Sequence, residues 1–302
     1  MEYNKEANAC PEPAGILLII GGKEDKGEEL KAKTEEEKKQ NEEDDKHAEK
    51  SGRSEVLKNF IQLTGKEDPV IEVITTASSE GDEMFATYKE VFGELKITNI
   101  RHIHHALREE VIKDKGLVDR VDDADAFFFT GGDQLLLTSL YGGSDFLTRL
   151  KERYINDKIV VAGTSAGAMA MSTPMIYAGN KEKQQIAGEV KITTGLEFLK
   201  DLCIDTHFVD RGRFVRMAQV IATNPTSIGI GIEEDTAIIV RKGTEAEVIG
   251  TGTIIVIDGF SITSSDVAEF DTEKRISIQN MRVHIYSKGD TYKIPQIDPP
   301  HK

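Results

Sequence analysis

The stretch from Val160 to Ser172 reads VVAGTSAGAMAMS. Its apolar run is typical of a buried strand, and the small residues after the GTSAG pattern at residues 163–167 are compatible with a helix. In that context a G-x-S-x-G pattern predicts a sharp strand-to-helix turn that lifts the serine hydroxyl above the edge of a sheet. The stretch therefore indicates an α/β fold, with Ser165 either a nucleophile or part of a turn that needed small residues.

Short runs rich in Val, Ile and Phe recur between helical patterns, at residues 15–20, 70–75, 126–130, 159–162 and 202–205. Near-continuous apolar runs suit strands that are buried on both faces, so they predict a doubly wound, mostly parallel sheet with helices on each side. After Ile228, the runs AIIV, EVIG and TIIVID are separated by short turns with glycine, which favour hairpins. We therefore expect the C-terminal part to extend the same sheet in antiparallel fashion.

The composition limits what the protein can bind. The chain has 302 residues, with 53 acidic and 38 basic side chains and a formal net charge of −15. This charge repels phosphate groups, so we expect no nucleic-acid partner and no anionic membrane. Cys10 and Cys203 make neither a disulfide framework nor a metal-ligand set, and no apolar run is long enough to span a bilayer. We expect a cytoplasmic protein.

A single catalytic domain is expected over residues 1–302, with a charged insertion at residues 24–55. The most polar part of the insertion, TEEEKKQNEEDDKHAEK at residues 34–50, mixes both charges and has almost no apolar residues. Such a run is either an exposed helix with charge pairs or a disordered loop, since neither needs a core. The insertion follows Gly21 and Gly22 at the end of the first predicted strand, near the sheet edge where active sites gather.

A serine nucleophile needs a base, and His207 is the strongest candidate among the seven histidines. It follows the apolar run at residues 202–205, so we expect it at the sheet edge that carries other strand ends. His102, His104 and His105 lie close together in RHIHHA, but no carboxylate or thiol set accompanies them. We therefore expect no metal site there.

The base in turn needs an orienting acid. Glu233 and Glu234 follow another apolar run in SIGIGIEEDTAIIV, and the sequence leaves open which of them faces the imidazole. The chain order is then Ser, His, Glu, whereas an ordinary α/β-hydrolase has Ser, acid, His. This order argues against an esterase.

A second glycine turn, FFFTGGDQLLL, ends a predicted strand and opens a predicted helix with Asp133 as its N-cap. Gly131 and Gly132 allow backbone N–H groups to approach a ligand closely. Together with the Ala166 amide, at the start of the helix after Ser165, they are candidates for an oxyanion hole. The other interpretation is a simple strand-to-helix turn.

Three arginines lie around a predicted helix start: Arg211, Arg213 and Arg216. Positive side chains are disfavoured at a helix N-terminus, so the cluster is expected to bind an anion, and guanidinium groups match carboxylates. We therefore expect a substrate with carboxylates near the scissile bond. Alternatively, Arg211 and Arg216 pair with neighbouring acids of the chain: Asp205, Asp210 or Glu234.

Four motifs carry a resemblance to a known family: TGGDQ, GTSAGAMAMS, DTHFVDRGRF and GIGIEEDTAIIV. Together they resemble the motifs of the cyanophycinases, serine peptidases related to the aspartyl dipeptidase peptidase E, in the family order and over most of the chain. The resemblance implies a fold like that of the class I glutamine amidotransferases, a homodimer, and no cofactor. It also implies hydrolysis of cyanophycin, a polyaspartate with arginine on its side chains, to β-aspartyl-arginine dipeptides.

The same resemblance implies roles by motif position. Ser165 would be the nucleophile, His207 the base and Glu234 the orienting acid. The residues that would line the substrate site are Gln134, Asp205, Arg211, Arg213 and Arg216. One departure is Thr206, where the cyanobacterial enzymes have glutamine, so the floor of the pocket is expected to differ.

Two other functions stay open at this point. A peptidase-E-like dipeptidase would cleave short α-aspartyl peptides, although the arginine cluster and the DTHF segment favour the polymer enzyme. A non-catalytic binding module of the amidotransferase type would carry Ser165 in place of a cysteine nucleophile. Such a module would need neither His207 nor Glu234.

Overall fold

The computed structural model of the protein describes residues 11–22, 55–179, 183–269 and 274–295. Strands and helices alternate along the first part of the chain, and strands dominate the later part. The helices are α1 (described over 55–64), α2 (Gly81–Glu94), α3 (Arg108–Lys113), α4 (Leu117–Asp123), α5 (Gln134–Tyr141), α6 (Asp145–Asn156), α7 (Ala166–Ala170) and α8 (Phe214–Thr223). The strands are β1 (Ile16–Ile20), β2 (Ile71–Ile74), β3 (Ile100–Ile103), β4 (Ala126–Phe129), β5 (Val160–Thr164), β6 (Ser172–Thr173), β7 (Met175–Ala178), β8 (Lys191–Thr193), β9 (Leu199–Lys200), β10 (Leu202–Asp205), β11 (Ile228–Ile232), β12 (Thr236–Arg241), β13 (Glu245–Gly250), β14 (Thr253–Asp258), β15 (Ser264–Ser265), β16 (Ile278–Gln279), β17 (Arg282–Ser287) and β18 (Thr291–Lys293).

The larger sheet has eight strands within the described residues, in the order β18-β13-β12-β1-β5-β4-β2-β3. Strands β1, β5, β4, β2 and β3 are parallel to one another, while β12 and β13 run antiparallel to their neighbours. The predicted α/β fold with a large, mostly parallel sheet is therefore confirmed. Because Ile20 lies opposite Thr164 and Phe129 lies opposite Gly163, the carboxyl ends of β1, β5 and β4 are level at one edge.

A second sheet has six strands within the same described ranges, in the order β17-β14-β11-β10-β6-β9. The prediction of one sheet is wrong in this respect: residues 202–205 form β10 of the second sheet, and the chain after Ile228 divides between both sheets. Strand β10 pairs in parallel with β11, whereas β12 pairs with β1 of the larger sheet. Apolar runs report burial and do not identify a strand's partners, so they could not separate two sheets that share a core.

The apolar core fills the space on both sides of the larger sheet. One face of that sheet shares a core cluster with the second sheet and with helices α3 to α7. The other face packs against α1 and α2 through Phe60, Tyr88 and Phe92. Helix α8 covers the outer face of the second sheet with Met217 and Ile221. Helix α7 contacts both β5 and β10, so the two sheets meet beside the carboxyl end of β5.

The charged insertion predicted at residues 24–55 lies outside the described residues, except for Glu55 in α1. Its most polar part, residues 34–50, therefore stays a prediction from the sequence. Among the helices of the described ranges, none combines the length and the apolar character that crossing a bilayer requires.

Candidate active site

Ser165 occupies a strained turn between β5 and α7. Its φ of 52° and ψ of −115° form a backbone conformation that residues with a Cβ rarely adopt. The N–H of Ser165 donates to the carbonyl of Ile20 (3.2 Å), which ties the turn to the end of β1. A Cβ on Gly163 would lie 2.6 Å from the Gly167 backbone, and a Cβ on Gly167 would lie 2.3 Å from the Phe129 carbonyl oxygen. Close backbone packing therefore requires both flanking glycines.

His207 faces Ser165 from the end of β10. The distance from its Nε2 to the Ser165 Oγ is 3.1 Å. The φ of His207 is also positive, at 47°, and its N–H donates to the Gly21 carbonyl (2.9 Å). Its side chain is only 1% exposed, so packing fixes the imidazole. The imidazole thus follows a strand of the second sheet, and the serine that it contacts follows a strand of the larger sheet.

Glu234 extends this chain of hydrogen bonds on the far side of the ring. Its Oε1 lies 2.7 Å from Nδ1 of His207. Since an ionised carboxylate only accepts hydrogen bonds, this contact puts the proton on Nδ1 and leaves Nε2 to accept from the Ser165 hydroxyl. Glu233 instead accepts from the backbone N–H of Thr253 (2.6 Å). Of the two acids that the sequence left open, Glu234 is the one that contacts the imidazole.

Gly22 is a neighbour of this site that the sequence placed near the active edge of the sheet but gave no role there. A Cβ at this position would lie 2.7 Å from the His207 Nε2 and 2.8 Å from the Ser165 Cβ. The φ of Gly22 is +84°, which favours glycine. The available signal was the pair of glycines at the end of β1, but such a pair is equally typical of an ordinary turn.

The candidates for the oxyanion hole lie at neighbouring strand ends. Ala166 is the first residue of α7, so its N–H has no acceptor within the helix. Gly132 follows β4, the neighbour of β5; its φ is +134°, and a Cβ would lie 2.0 Å from the Ala77 carbonyl oxygen. The predicted N-cap of α5 is confirmed, because the Asp133 carboxylate accepts from the Leu135 N–H (2.8 Å).

Asp205 forms a buried ion-pair cluster with Arg213 and Arg216. Its Oδ1 accepts from Arg213 Nη1 (3.0 Å), and its Oδ2 accepts from Arg216 Nε (2.6 Å), with a further contact from Arg216 Nη2 to Oδ1. Burial lowers the pKa of Arg213 to about 10 although Asp205 opposes the shift, so the guanidinium stays charged at neutral pH. Arg216 therefore pairs with an acid of its own chain, as the alternative interpretation predicted. Arg213 pairs with the same acid, Asp205.

Gln134 and Arg211 are the remaining residues that the resemblance assigned to the substrate. Gln134 begins α5, and its side-chain amide donates to the Ile176 carbonyl (2.7 Å). Arg211 lies partly exposed in the turn between His207 and α8, where its backbone N–H donates to the His207 carbonyl (3.0 Å). The backbone of Arg211 is thus hydrogen-bonded to His207, the residue that carries the imidazole.

His102, His104 and His105 take part in a hydrogen-bonded cluster at the ends of β2 and β3. His102 Nε2 and His104 Nδ1 lie 2.7 and 3.0 Å from the Thr75 hydroxyl, and His105 Nδ1 lies 3.1 Å from the Tyr141 hydroxyl. Burial lowers the pKa values of His102 and His105, which favours their neutral forms. In the part of the chain that the structure describes, no group of three or more His, Cys, Asp or Glu side chains is arranged to hold a metal ion.

Comparison with known proteins identifies relatives of this chain. A model of peptidase family S51 matches residues 46–249. A cyanophycinase from Synechococcus elongatus is 30% identical over 288 residues, which cover 95% of this chain and 82% of the relative. A cyanophycinase from Geminocystis herdmanii is 30% identical over 277 residues, which cover 91% of this chain and 92% of the relative.

Solved structures include one with a similar fold. A peptidase from an acI-B1 actinobacterium matches with a TM-score of 0.63 at 19% identity, over 94% of this chain and 98% of that chain. At this identity the likeness supports the fold alone. The family match covers more than half of the chain, and the two relatives match along most of their own lengths. The chain therefore belongs to peptidase family S51 and is a serine peptidase.

Proposed function

We propose that the protein hydrolyses cyanophycin and releases β-aspartyl-arginine dipeptides through an acyl-enzyme on Ser165. The observation that carries the proposal is the chain of hydrogen bonds from Ser165 Oγ to His207 Nε2 (3.1 Å) and from His207 Nδ1 to Glu234 Oε1 (2.7 Å). Serine-type acyl transfer requires a nucleophile, a base and an orienting acid in this arrangement. The names of the two cyanophycinase relatives support the substrate class.

The first stage forms the acyl-enzyme. His207 accepts the hydroxyl proton on Nε2 while the Ser165 Oγ bonds to the backbone carbonyl carbon between two aspartates. The carbonyl oxygen becomes an oxyanion, which the N–H groups of Gly132 and Ala166 stabilise. The C–N bond then breaks, and the proton on His207 passes to the departing amine.

The second stage regenerates the enzyme. A water molecule gives a proton to Nε2 of His207 and attacks the acyl carbon, and the ester bond to Ser165 breaks as Oγ takes the proton back. The product leaves with a new carboxylate. Glu234 holds the imidazole in the required tautomer and stabilises its positive charge in both stages.

Arg211 and Gln134 are the substrate contacts in this proposal. A guanidinium fork matches the free carboxylates of an aspartyl dipeptide, and the Gln134 side chain has an oxygen to accept a hydrogen bond. Asp205, Arg213 and Arg216 are not included, because their charged groups bind one another in the cluster described above. The partly exposed position of Arg211 beside the His207 turn supports its assignment.

Release of β-aspartyl-arginine from purified insoluble cyanophycin, followed by mass spectrometry, tests the proposal. We expect Ser165→Ala to lower the rate by about 10⁴-fold or more, because the nucleophile is lost. Ser264→Ala changes an exposed serine of β15 and is the matched control, with the parent rate expected. Equal release by the parent and Ser165→Ala would exclude Ser165 as the nucleophile. Cleavage of α-aspartyl dipeptides in place of the polymer would indicate a peptidase-E-like enzyme.

A fold of the class I amidotransferase type, a homodimer and a cytoplasmic location complete the proposal. The family resemblance supports the first two, and the third is the expectation stated in the sequence analysis. Light scattering on the purified protein is expected to give twice the chain mass of 33.4 kDa. A single-chain mass at all concentrations would reject the dimer, and recovery of the activity outside the cytoplasmic fraction of the source cells would reject the location.

A further inference from the structure

The peptide group that precedes His207 is held at both ends. The carbonyl of Thr206 accepts from Arg213 Nη1 (2.8 Å), and the N–H of His207 donates to the Gly21 carbonyl (2.9 Å). The N–H of Thr206 also donates to Asp205 Oδ1 (2.9 Å), so the preceding peptide group is fixed as well. The backbone that enters His207 therefore has little freedom to rotate.

Arg213 links this backbone to the buried carboxylate. Its Nη1 donates to the Thr206 carbonyl and also to Asp205 Oδ1 (3.0 Å), which uses both hydrogens of that nitrogen. Asp205 is fully buried, and the side chains of Arg213 and Arg216 are only 16% and 12% exposed. Both Asp205 oxygens accept hydrogen bonds within the cluster. The carboxylate is thus paired with two guanidinium groups of its own chain and does not need a substrate cation.

His207 needs such support because of its backbone conformation. A φ of 47° at a residue with a Cβ is strained and persists only where the surrounding structure enforces it. If φ relaxed to a negative value, the ring would swing away from the Ser165 Oγ, which now lies 3.1 Å from Nε2. A proton transfer over hydrogen-bond distance would then lose its geometry.

We propose that Asp205, Arg213 and Arg216 are positioning residues that hold His207 in its left-handed conformation opposite Ser165, and that they do not bind the substrate. The inference rests on the proposed function, because it takes His207 as the base for Ser165. Arg213 acts directly on the Thr206 carbonyl. Arg216 acts one step further away, because it holds the carboxylate that Arg213 binds.

The test compares a small probe with the full substrate. A small uncharged fluorophosphonate reacts with an activated serine but offers no carboxylate or guanidinium to a substrate pocket. Its labelling rate at Ser165 therefore reports whether His207 is in place, whereas KM for a soluble aspartate oligomer with arginine side chains reports substrate contacts. Arg213→Met removes the clamp and leaves Asp205 paired with Arg216, so that the buried carboxylate stays neutralised.

We expect Arg213→Met to lower both the labelling rate and kcat on the oligomer by about 100-fold, since a small displacement of a reacting group has an effect of this size. KM should stay close to the parent value. Arg213→Lys should restore part of both rates, because an ammonium can donate to the same two oxygens. Arg149→Met removes a surface arginine that pairs with Asp122 and Glu152 on α4 and α6, and it is expected to match the parent in every readout.

Two results would overturn the inference. Labelling of Arg213→Met at the parent rate together with a raised KM would identify Arg213 as a substrate ligand. If thermal unfolding shows that Arg213→Met does not fold, the same comparison is made on Arg213→Lys. Labelling of Arg213→Lys at the parent rate with a raised KM would contradict the proposal. Slowed labelling with an unchanged KM would support it. Absence of labelling in the parent protein would instead reject the proposed function itself.

Discussion

Gly22 lies where any side chain would come between the Ser165 and His207 side chains. Its added Cβ would approach the His207 Nε2 to 2.7 Å, so we expect Gly22→Ala to lower kcat/KM by at least about 100-fold. Gly289→Ala is the matched control: its φ of +88° is close to the +84° of Gly22, but its added Cβ meets no atom within 4 Å. Both variants place a Cβ at a positive φ, but only in Gly22→Ala does that Cβ collide with the His207 and Ser165 side chains. Equal loss of kcat/KM in the two variants would show that the collision is unimportant.

The two neighbouring glutamates provide a second comparison at single residues. Glu234 contacts the imidazole at 2.7 Å, whereas Glu233 accepts from the Thr253 N–H. We expect Glu234→Gln to lower kcat by about 10⁴-fold, because an amide can donate to Nδ1 and favour the wrong tautomer. Glu233→Gln keeps an oxygen acceptor for Thr253 and should lose far less activity. If kcat fell equally in Glu234→Gln and Glu233→Gln, the contact with the imidazole would not be what distinguishes the two glutamates.

At this scale the sequence predicted which side chains meet but not every role. Ser165 and His207 could be paired because each follows an apolar strand, and strand ends gather at sheet edges. The family resemblance favoured Glu234 over Glu233, whereas the residues alone left that choice open, since adjacent residues point in different directions. The arginine cluster shows charge without showing its partner, so the pairing of Arg216 with Asp205 could only be held open as one alternative. The pairing of Arg213 with the same acid was not predicted.

Elements at the other end of the larger sheet are joined by a buried hydroxyl network. The Tyr141 hydroxyl of α5 lies 2.6 Å from the Thr76 hydroxyl after β2, and 3.1 Å from Nδ1 of His105 after β3. We expect Tyr141→Phe to lower the free energy of unfolding by about 1–2 kcal/mol, because it leaves buried polar groups without that partner. Urea titration followed by circular dichroism measures the change.

Tyr154 of α6 is the matched control for Tyr141. Its hydroxyl is buried and has no hydrogen-bond partner among the described residues. Tyr154→Phe should therefore cause no loss of stability, and a gain of up to about 1 kcal/mol is expected. A loss equal to that of Tyr141→Phe would show that ring packing, and not the hydroxyl network, sets both values.

The elements themselves were predicted better than their assembly. The runs that the sequence marked as strands coincide with β1, β2, β4, β5 and β10 to within a residue or two. Their division into two sheets was missed, because β10 and β5 are both buried on every side and read alike in the sequence. Sheet membership depends on long-range pairing, which a local apolar run does not record.

Across the whole molecule, the site draws on both sheets. Ser165 follows β5 of the larger sheet, while His207 and Glu234 follow β10 and β11 of the second sheet. One continuous core cluster contains residues of both sheets, so we expect them to unfold together. Fluorophosphonate labelling and far-ultraviolet circular dichroism should then be lost at the same urea concentration. Loss of labelling well before the dichroism signal would show that the sheets separate first.

The positive φ of Ser165 lowers the stability of the fold at the residue proposed as the nucleophile. Strain of this kind costs about 1–3 kcal/mol in the folded state, and glycine relieves it at the expense of a more flexible unfolded chain. Ser165→Gly should therefore melt at a higher temperature than Ser165→Ala, which keeps a Cβ at a φ of 52°. Selection for heat resistance alone would tend to replace the serine. Its presence at this strained position is best understood as a compromise that only selection for chemistry maintains.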